Sequence, residues 1–506
     1  MYTLREIFSF IENKPLLFTQ YLFWMFFGVL LLIYTLIFRN DTFRRRLLLI
    51  FSIFFYYKSG GYFFLLLLLS TVMDFGLGKL IHSGKTQWHR KFYVTCSVIL
   101  NLGLLSYFKY YQFYLNLIND ILGTNYKAFN YLANWTNGIS GSHFDIWTVM
   151  LPVGISFYTF QSLSYTIDIY RKKIEPVSNI LDFAFFVTYF PQLVAGPIVR
   201  AAEFLPQIHK KYALSSEDFG KAAYLIMAGL IKKMVISDYI SLNFVDRVFE
   251  NPILYSGFEN LMAVYGYTIQ IYCDFSGYTD IAIGLSLLLG YHLPVNFNSP
   301  YQSVNITEFW RRWHISLSTW LKDYLYIPLG GNRKGKIRTY INLFLTMLLG
   351  GLWHGAHIRF LIWGGLQGLA LALHKFWMKI FPSGNQRKDS KFILMCSGIL
   401  TFNFVAFCWI FFRAPNLSIV GQILSQIGNN FHFNLIGKVV TSYSNVFILM
   451  LVAYFIHLWP QSWKYAIRLR FTAWPIYIKA IIISILVILI YQATSSAIQP
   501  FIYFQF

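Results

Sequence analysis

Two histidines, each among apolar and small residues, are the side chains in this sequence best placed to move a proton. His354 stands in the run Leu348-Leu349-Gly350-Gly351-Leu352-Trp353-His354-Gly355-Ala356-His357. Basic groups at 333–338 and 387–391 flank that run, so it should enter the apolar phase and return as a hairpin. From Arg338 to His354 a helix climbs about 24 Å, less than a hydrocarbon thickness of ~30 Å, which leaves His354 inside the membrane. An ionisable group at such depth costs about 2.5–3.5 kcal/mol on insertion scales and so marks a candidate site. Burial disfavours imidazolium and lowers the pKa from about 6.5, giving the neutral ring that a general base acting on a hydroxyl needs. The alternative is a structural histidine bonded to a neighbouring helix carbonyl. His357, beside Arg359 and nearer the turn, reads as structural.

The second candidate lies in residues 307–327, where Trp310, Trp313, Leu317, Trp320 and Tyr324 recur at helical spacing. Such a stripe predicts one helix seated in the headgroup interface. Arg311, His314, Ser318 and Lys322 would share another, polar face, with Arg311, Arg312 and Lys322 able to attract phosphates of a donor or of lipid. An ordinary snorkelling basic face explains the same pattern equally well. Asp274 and Asp280, in Tyr272-Cys273-Asp274-Phe275-Ser276-Gly277-Tyr278-Thr279-Asp280, are carboxylates in a long apolar stretch. They could line a donor cavity, but pairing with buried cations is the better reading. No HExxH, GxSxG or phosphate-binding Gly-rich loop accompanies them, which removes support for a protease, a serine hydrolase or a nucleotide-driven pump.

The elements that must position these residues are membrane helices. Only 12% of the 506 residues are charged, against about 25% in soluble domains, while 56% are hydrophobic and 20% aromatic. Apolar runs at 15–38, 47–81, 92–117, 149–170, 222–242, 261–289, 392–412, 446–458 and 476–491, with the His354 hairpin, predict about ten to twelve crossings. The first run is longer than a signal-peptide core and is followed by no small-residue cleavage site, so it is read as a crossing. Residues 47–81 are too long for one crossing and are broken at Lys58-Ser59-Gly60-Gly61, which predicts a hairpin that leaves and returns. Residues 180–198 are flanked by basic groups on both sides and interrupted by Pro191, Gly196 and Pro197, which predicts a re-entrant element lined by protein or a cavity. No repeat or soluble linker divides the chain, so 1–506 reads as one membrane-embedded domain.

Charge sets the sidedness. The 42 Lys and Arg exceed the 21 Asp and Glu and fall mainly between apolar runs, which fits positive-inside orientation and anionic lipid rather than nucleic acid. Basic groups at 44–46, 85–91 and 171–173 are placed in the cytoplasm and the charge-poor 119–145 loop outside. Cys96, Cys273, Cys396 and Cys408 show no close pairing, so neither a disulfide framework nor a metal site is expected.

Six stretches carry a resemblance. They are LPVGISFYTFQSLSYTIDIYR from Leu151, YFPQLVAGPIVR from Tyr189, QIYCDFSGYTDIAIG from Gln270, FWRRWHISLSTWLKDYLYIPLGG from Phe309, GGLWHGA from Gly350 and WIFFRAP from Trp409. In this order, over about 150–415, the chain resembles the membrane-bound O-acyltransferase superfamily, in the branch holding the membrane subunit of bacterial alginate O-acetylation. The resemblance implies many helices around a central funnel or tunnel, open to donor and acceptor from opposite sides, and two key histidines that fall on His354 and His314. It implies transfer of a small acyl group, with acetyl-CoA as donor and no tightly bound cofactor or metal. The acceptor would be a hydroxyl of an extracytoplasmic polysaccharide, and a secreted or periplasmic partner would complete the transfer. The place implied is the inner, cytoplasmic membrane. D-alanyl transfer toward teichoic acid from a carrier-protein thioester is a close alternative. A polysaccharide transporter with proton-relay histidines is another, but paired half-repeats and a series of membrane acids are missing from the sequence.

Overall fold

The computed structural model describes residues 4–11, 14–140, 144–194, 196–381 and 390–493, and among them every regular element is a helix. By length and composition, among the described residues, Asp41–Ser83, Gln87–Leu122 and Lys391–Arg413 can each cross a bilayer, and the number reaches five if each of two bent helix pairs counts as one crossing. Gly257–Leu288, at 32 residues, is long enough as well, but it buries Asn260, Gln270 and Asp274. Polar groups turned into protein make such a helix read as less apolar than a lipid-facing one. Many large apolar side chains point outward, such as Leu36 at 74% exposure and Leu451 at 70%. In water they would drive aggregation, whereas lipid is their ordinary solvent.

The chain divides into two compact units. The first gathers Met1–Val194, Ile198–Tyr212 and Gly355–His357. Within the 15–38 run the helix is Tyr21–Leu36, shorter than the run, because Leu16, Leu17 and Phe18 are buried in non-helical chain ahead of it. Where the sequence predicts a hairpin at 58–61, Asp41–Gly60 passes through a single 3-10 turn, Gly61–Phe63, into Phe64–Ser83, the two together forming one 43-residue apolar stretch. Gly61 has a φ of +62°, which suits a residue without Cβ. Helices Phe64–Ser83, Gln87–Leu105 and Ile155–Tyr170 are tied by buried Asp74, which accepts from Ser97 Oγ at 2.8 Å and Asn101 Nδ2 at 2.9 Å. Ser97 in turn meets Thr166 at 2.9 Å. In the region read as re-entrant, the helix Ile180–Thr188 has nine residues, about 13.5 Å, and stops before Tyr189 and Pro191. That is too short to cross.

The second unit holds Ala213–His354 and Ile358–Phe506, with Ala195–Pro197. Its centre is Gly257–Leu288, started by a capping box of Ser256 and Glu259. Against it packs Ser216–Leu230, which continues into a π-helical turn, Ile231–Ser237. Gly229 and Gly277 face one another there, and a Cβ on either would strike the other's carbonyl oxygen. Close approach through small residues is how membrane helices gain packing energy without a hydrophobic driving force between them.

Candidate active site

His354 ends the helix Lys336–His354, which lies against Ile358–Ile380. Their contact is nearly backbone to backbone: a Cβ on Gly351 would run into the Phe360 carbonyl oxygen and Gly364, and one on Gly364 into the Met347 carbonyl oxygen. The glycines beside His354 therefore admit the neighbouring helix. His354 is 3% exposed, and its ring meets Trp353, Trp363 and Phe412 at centroid distances of 4.9, 5.1 and 5.3 Å. The hairpin and the burial are as the sequence predicts.

His314 departs from its predicted setting. The expected helix over 307–327 is broken into Ile306–Arg312 and Ile315–Leu321, followed by a π turn, Lys322–Tyr326. His314 forms the joint, with φ 43° and ψ 55°. A left-handed conformation is costly for a residue with a Cβ and persists where surrounding contacts over-determine it. Those contacts come from 296–298. Asn298 N donates to Arg312 O at 2.9 Å and Ile315 N to Asn296 O at 2.9 Å, so the backbone groups at the break are paired. The break removes the shared polar face: His314 is fully buried, while Arg311 and Lys322 remain exposed. The aromatic stripe is also inside rather than at headgroups, with Trp310, Trp313, Leu317, Trp320 and Tyr324 all 8% exposed or less.

The tautomer of His314 follows from its neighbours. Asn296 Oδ1 accepts from the Ser316 amide at 3.2 Å and the Ser316 hydroxyl at 3.0 Å. An N–H can only donate, so this atom must be the amide oxygen rather than the nitrogen. His314 Nδ1 lies 3.1 Å from the same oxygen and must therefore carry the proton. In the neutral ring Nε2 then holds a lone pair, and among the described residues it is buried without a hydrogen-bond partner. His314 lies between short helices, outside the crossing segments, and burial pushes its imidazole down to about 3. Phe275 stands edge-on to it at 4.7 Å, and Trp353 lies 6.3 Å away. Trp353 thus touches both histidines, and Trp313, Trp363 and Trp409 continue the same aromatic cluster.

The remaining candidates take polar partners. Arg312 pairs with Glu308 at 2.7 Å, and Ser318 Oγ donates to Trp313 O at 3.3 Å. Asp280 pairs with Lys232 at 2.6 Å and Asp274 with Lys233 at 2.5 Å, Lys233 also holding Asp238 at 2.7 Å. Both carboxylates thus tie Gly257–Leu288 to the π turn Ile231–Ser237. Lys232 and Lys233 are not among the sequence-predicted candidates, although cations inside the apolar 222–242 run meet the same depth criterion as His354. Asn296 is not among them either, and no local signal in the sequence marks it.

An integral membrane protein of buried and lipid-facing helices, with two histidines sharing one aromatic cluster, is the class these features define. The chain belongs to the membrane-bound O-acyltransferase family, whose profile matches residues 53–414. It is 43% identical over 328 residues to the probable alginate O-acetylase AlgI of Pseudomonas syringae pv. tomato, covering 64% of this chain and 58% of that protein. To the peptidoglycan O-acetyltransferase of Helicobacter pylori it is 36% identical over 388 residues, 71% of this chain and 69% of the relative. To the teichoic acid D-alanyltransferase of Bacillus subtilis it is 29% identical over 269 residues, 50% and 67% of the two chains.

Proposed function

We propose that this protein transfers an acetyl group from a cytosolic thioester, acetyl-CoA, toward a hydroxyl of an extracytoplasmic polysaccharide, across the cytoplasmic membrane. The observation that carries this reading is the pair of buried histidines around Trp353, one of them held by Asn296 with a lone pair free. His354 takes the proton of the acceptor hydroxyl as its oxygen attacks the thioester carbonyl carbon. A C–O bond forms, the C–S bond breaks, and the proton returns to the leaving thiolate. With its lone pair on Nε2, His314 cannot donate to the thioester carbonyl. It positions a reactant by accepting an O–H or N–H, such as an amide N–H of a pantetheine arm. The aromatic walls keep water from competing for the acyl group. A secreted or periplasmic partner protein that completes transfer to the polymer fits the same reading.

Purified protein, incubated with labelled acyl thioesters of several chain lengths and polysaccharide fragments, tests this. Acetyl-CoA should give ester-linked label on the polysaccharide, and longer chains should give less. Label arriving only from a D-alanyl carrier-protein thioester would replace the acetyl reading with the activity named for the Bacillus relative. No transfer from any thioester would overturn acyl transfer itself.

A further inference from the structure

Away from the histidines, the second unit has an apolar cavity of about 640 Å³ among helices Gly257–Leu288, Lys391–Arg413 and Ser444–Leu458. Its wall includes Met262, Tyr301, Gln302, Gly398, Phe402 and Met450. Even the tyrosines present rings rather than hydroxyls: Tyr301 Oη donates to Thr268 O at 2.7 Å and Tyr454 Oη to Tyr265 O at 2.8 Å. Leu394, Met395, Ile399 and Leu451 at its rim are exposed apolar side chains, so the cavity opens toward lipid.

Its length and its charged end narrow the choice of occupant. From Phe447 to Leu458 the wall runs about 16 Å along one helix, half of a hydrocarbon core of ~30 Å and so the depth of one leaflet. Beyond Leu458 comes Gln461–Ala473, a basic helix with Trp463 and Tyr465 exposed, the composition of an interfacial segment. Gln302, at the cavity wall, donates to the carbonyl of His457 at 3.0 Å, and Lys464 Nζ donates to that same carbonyl at 2.6 Å. The ammonium therefore sits at the cavity's interfacial end. Its other partner is the Ser299 hydroxyl at 2.7 Å, which leaves one of three donors. Lys232 and Arg312 act on it electrostatically, yet each is neutralised by its own carboxylate, Asp280 and Glu308. Among the described residues, Lys464 has no carboxylate within ion-pair distance.

We infer that this cavity holds one acyl chain of an anionic phospholipid from the cytoplasmic leaflet, with the lipid phosphate on Lys464. Basic groups flank this end of the chain, and anionic lipid is concentrated in that leaflet. The bound chain lies against Tyr301, whose ring packs on Phe309 and Trp313 at 6.2 and 6.1 Å, and so braces the segment that carries His314.

The test needs no turnover, so its outcome stands apart from that of the acyl-transfer reading. Delipidated protein is exposed to vesicles of phosphatidylcholine with or without phosphatidylglycerol, re-extracted, and weighed by native mass spectrometry. Wild type should retain one phosphatidylglycerol in preference to phosphatidylcholine. Lys464→Gln should lower that retention about fivefold, and Lys464→Arg should keep it, which separates lost charge from lost fold. Gly398→Leu, where a Cβ meets only Ser303 O at 4.0 Å, should fill the cavity and exclude both lipids. Equal retention of the two lipids by wild type, or undiminished phosphatidylglycerol in Lys464→Gln, would overturn the inference. So would a dimer that Gly398→Leu dissolves, which would make a second copy the occupant.

Discussion

A neutral imidazole offers a lone pair at one nitrogen and a proton at the other, and Asn296 makes that choice for His314. His354→Ala should lower acyl transfer by 10²–10⁴-fold, the usual contribution of a positioned base, with donor binding little changed. Product forming at the wild-type rate would remove His354 from the chemistry. His314→Gln should cost less, because a glutamine oxygen can still accept from a reactant; the rise should appear mainly in KM for the donor. Asn296→Asp gives a pH test with a definite sign. A carboxylate beside Nδ1 favours imidazolium and raises the pKa, so the neutral ring exists only at higher pH. The acid limb of the rate profile should then move upward from that of wild type, and an unmoved limb would show that His314 is not held through Asn296.

Helices bring these residues together through contacts that differ in how local they are. The His354 hairpin was readable because its signals lie in the segment itself: basic flanks, an apolar run and paired glycines. Gly351→Leu should separate its two helices, since the obstacle is the Phe360 carbonyl rather than a yielding side chain. A loss of about 1–3 kcal/mol, read as a lower melting temperature in detergent, is expected, with activity falling alongside it. The break at His314 was not readable. The aromatic period of 310, 313, 317, 320 and 324 runs through it without Pro or Gly, and the groups that stabilise the break, at Asn296 and Asn298, belong to another segment. Propensity there yields to tertiary hydrogen bonding. The aromatic stripe that the sequence shows is real but lies inside the protein rather than at headgroups, since packing against Trp363 and Trp409 buries it as a lipid interface would. Asp274 and Asp280 were legible as carboxylates in need of cations, but only the structure shows Lys233 and Lys232 as the cations.

For the molecule as a whole, the proposed reaction has a direction, since a cytosolic thioester and an outside hydroxyl must reach one site from opposite faces. Charge asymmetry is the physical basis for assigning those faces: cations resist transfer across the membrane, so loops rich in Lys and Arg stay in the cytoplasm. The segment 333–338 is basic, with Lys334 exposed in the loop and Lys336 exposed at the start of the helix Lys336–His354; in the other basic flank, Arg387 and Lys388 lie outside the described residues. Asn137 lies in the charge-poor 119–145 stretch. Single cysteines at Lys334 and at Asn137, in a background lacking Cys96, Cys273, Cys396 and Cys408, report each face through a membrane-impermeant thiol reagent. In intact cells the Asn137→Cys protein should label and the Lys334→Cys protein should not, until permeabilisation admits the reagent. Labelling of Lys334→Cys from outside would invert the molecule. It would turn the loop that begins the His354 hairpin away from the cytosol and remove the route by which acetyl-CoA is proposed to reach that histidine.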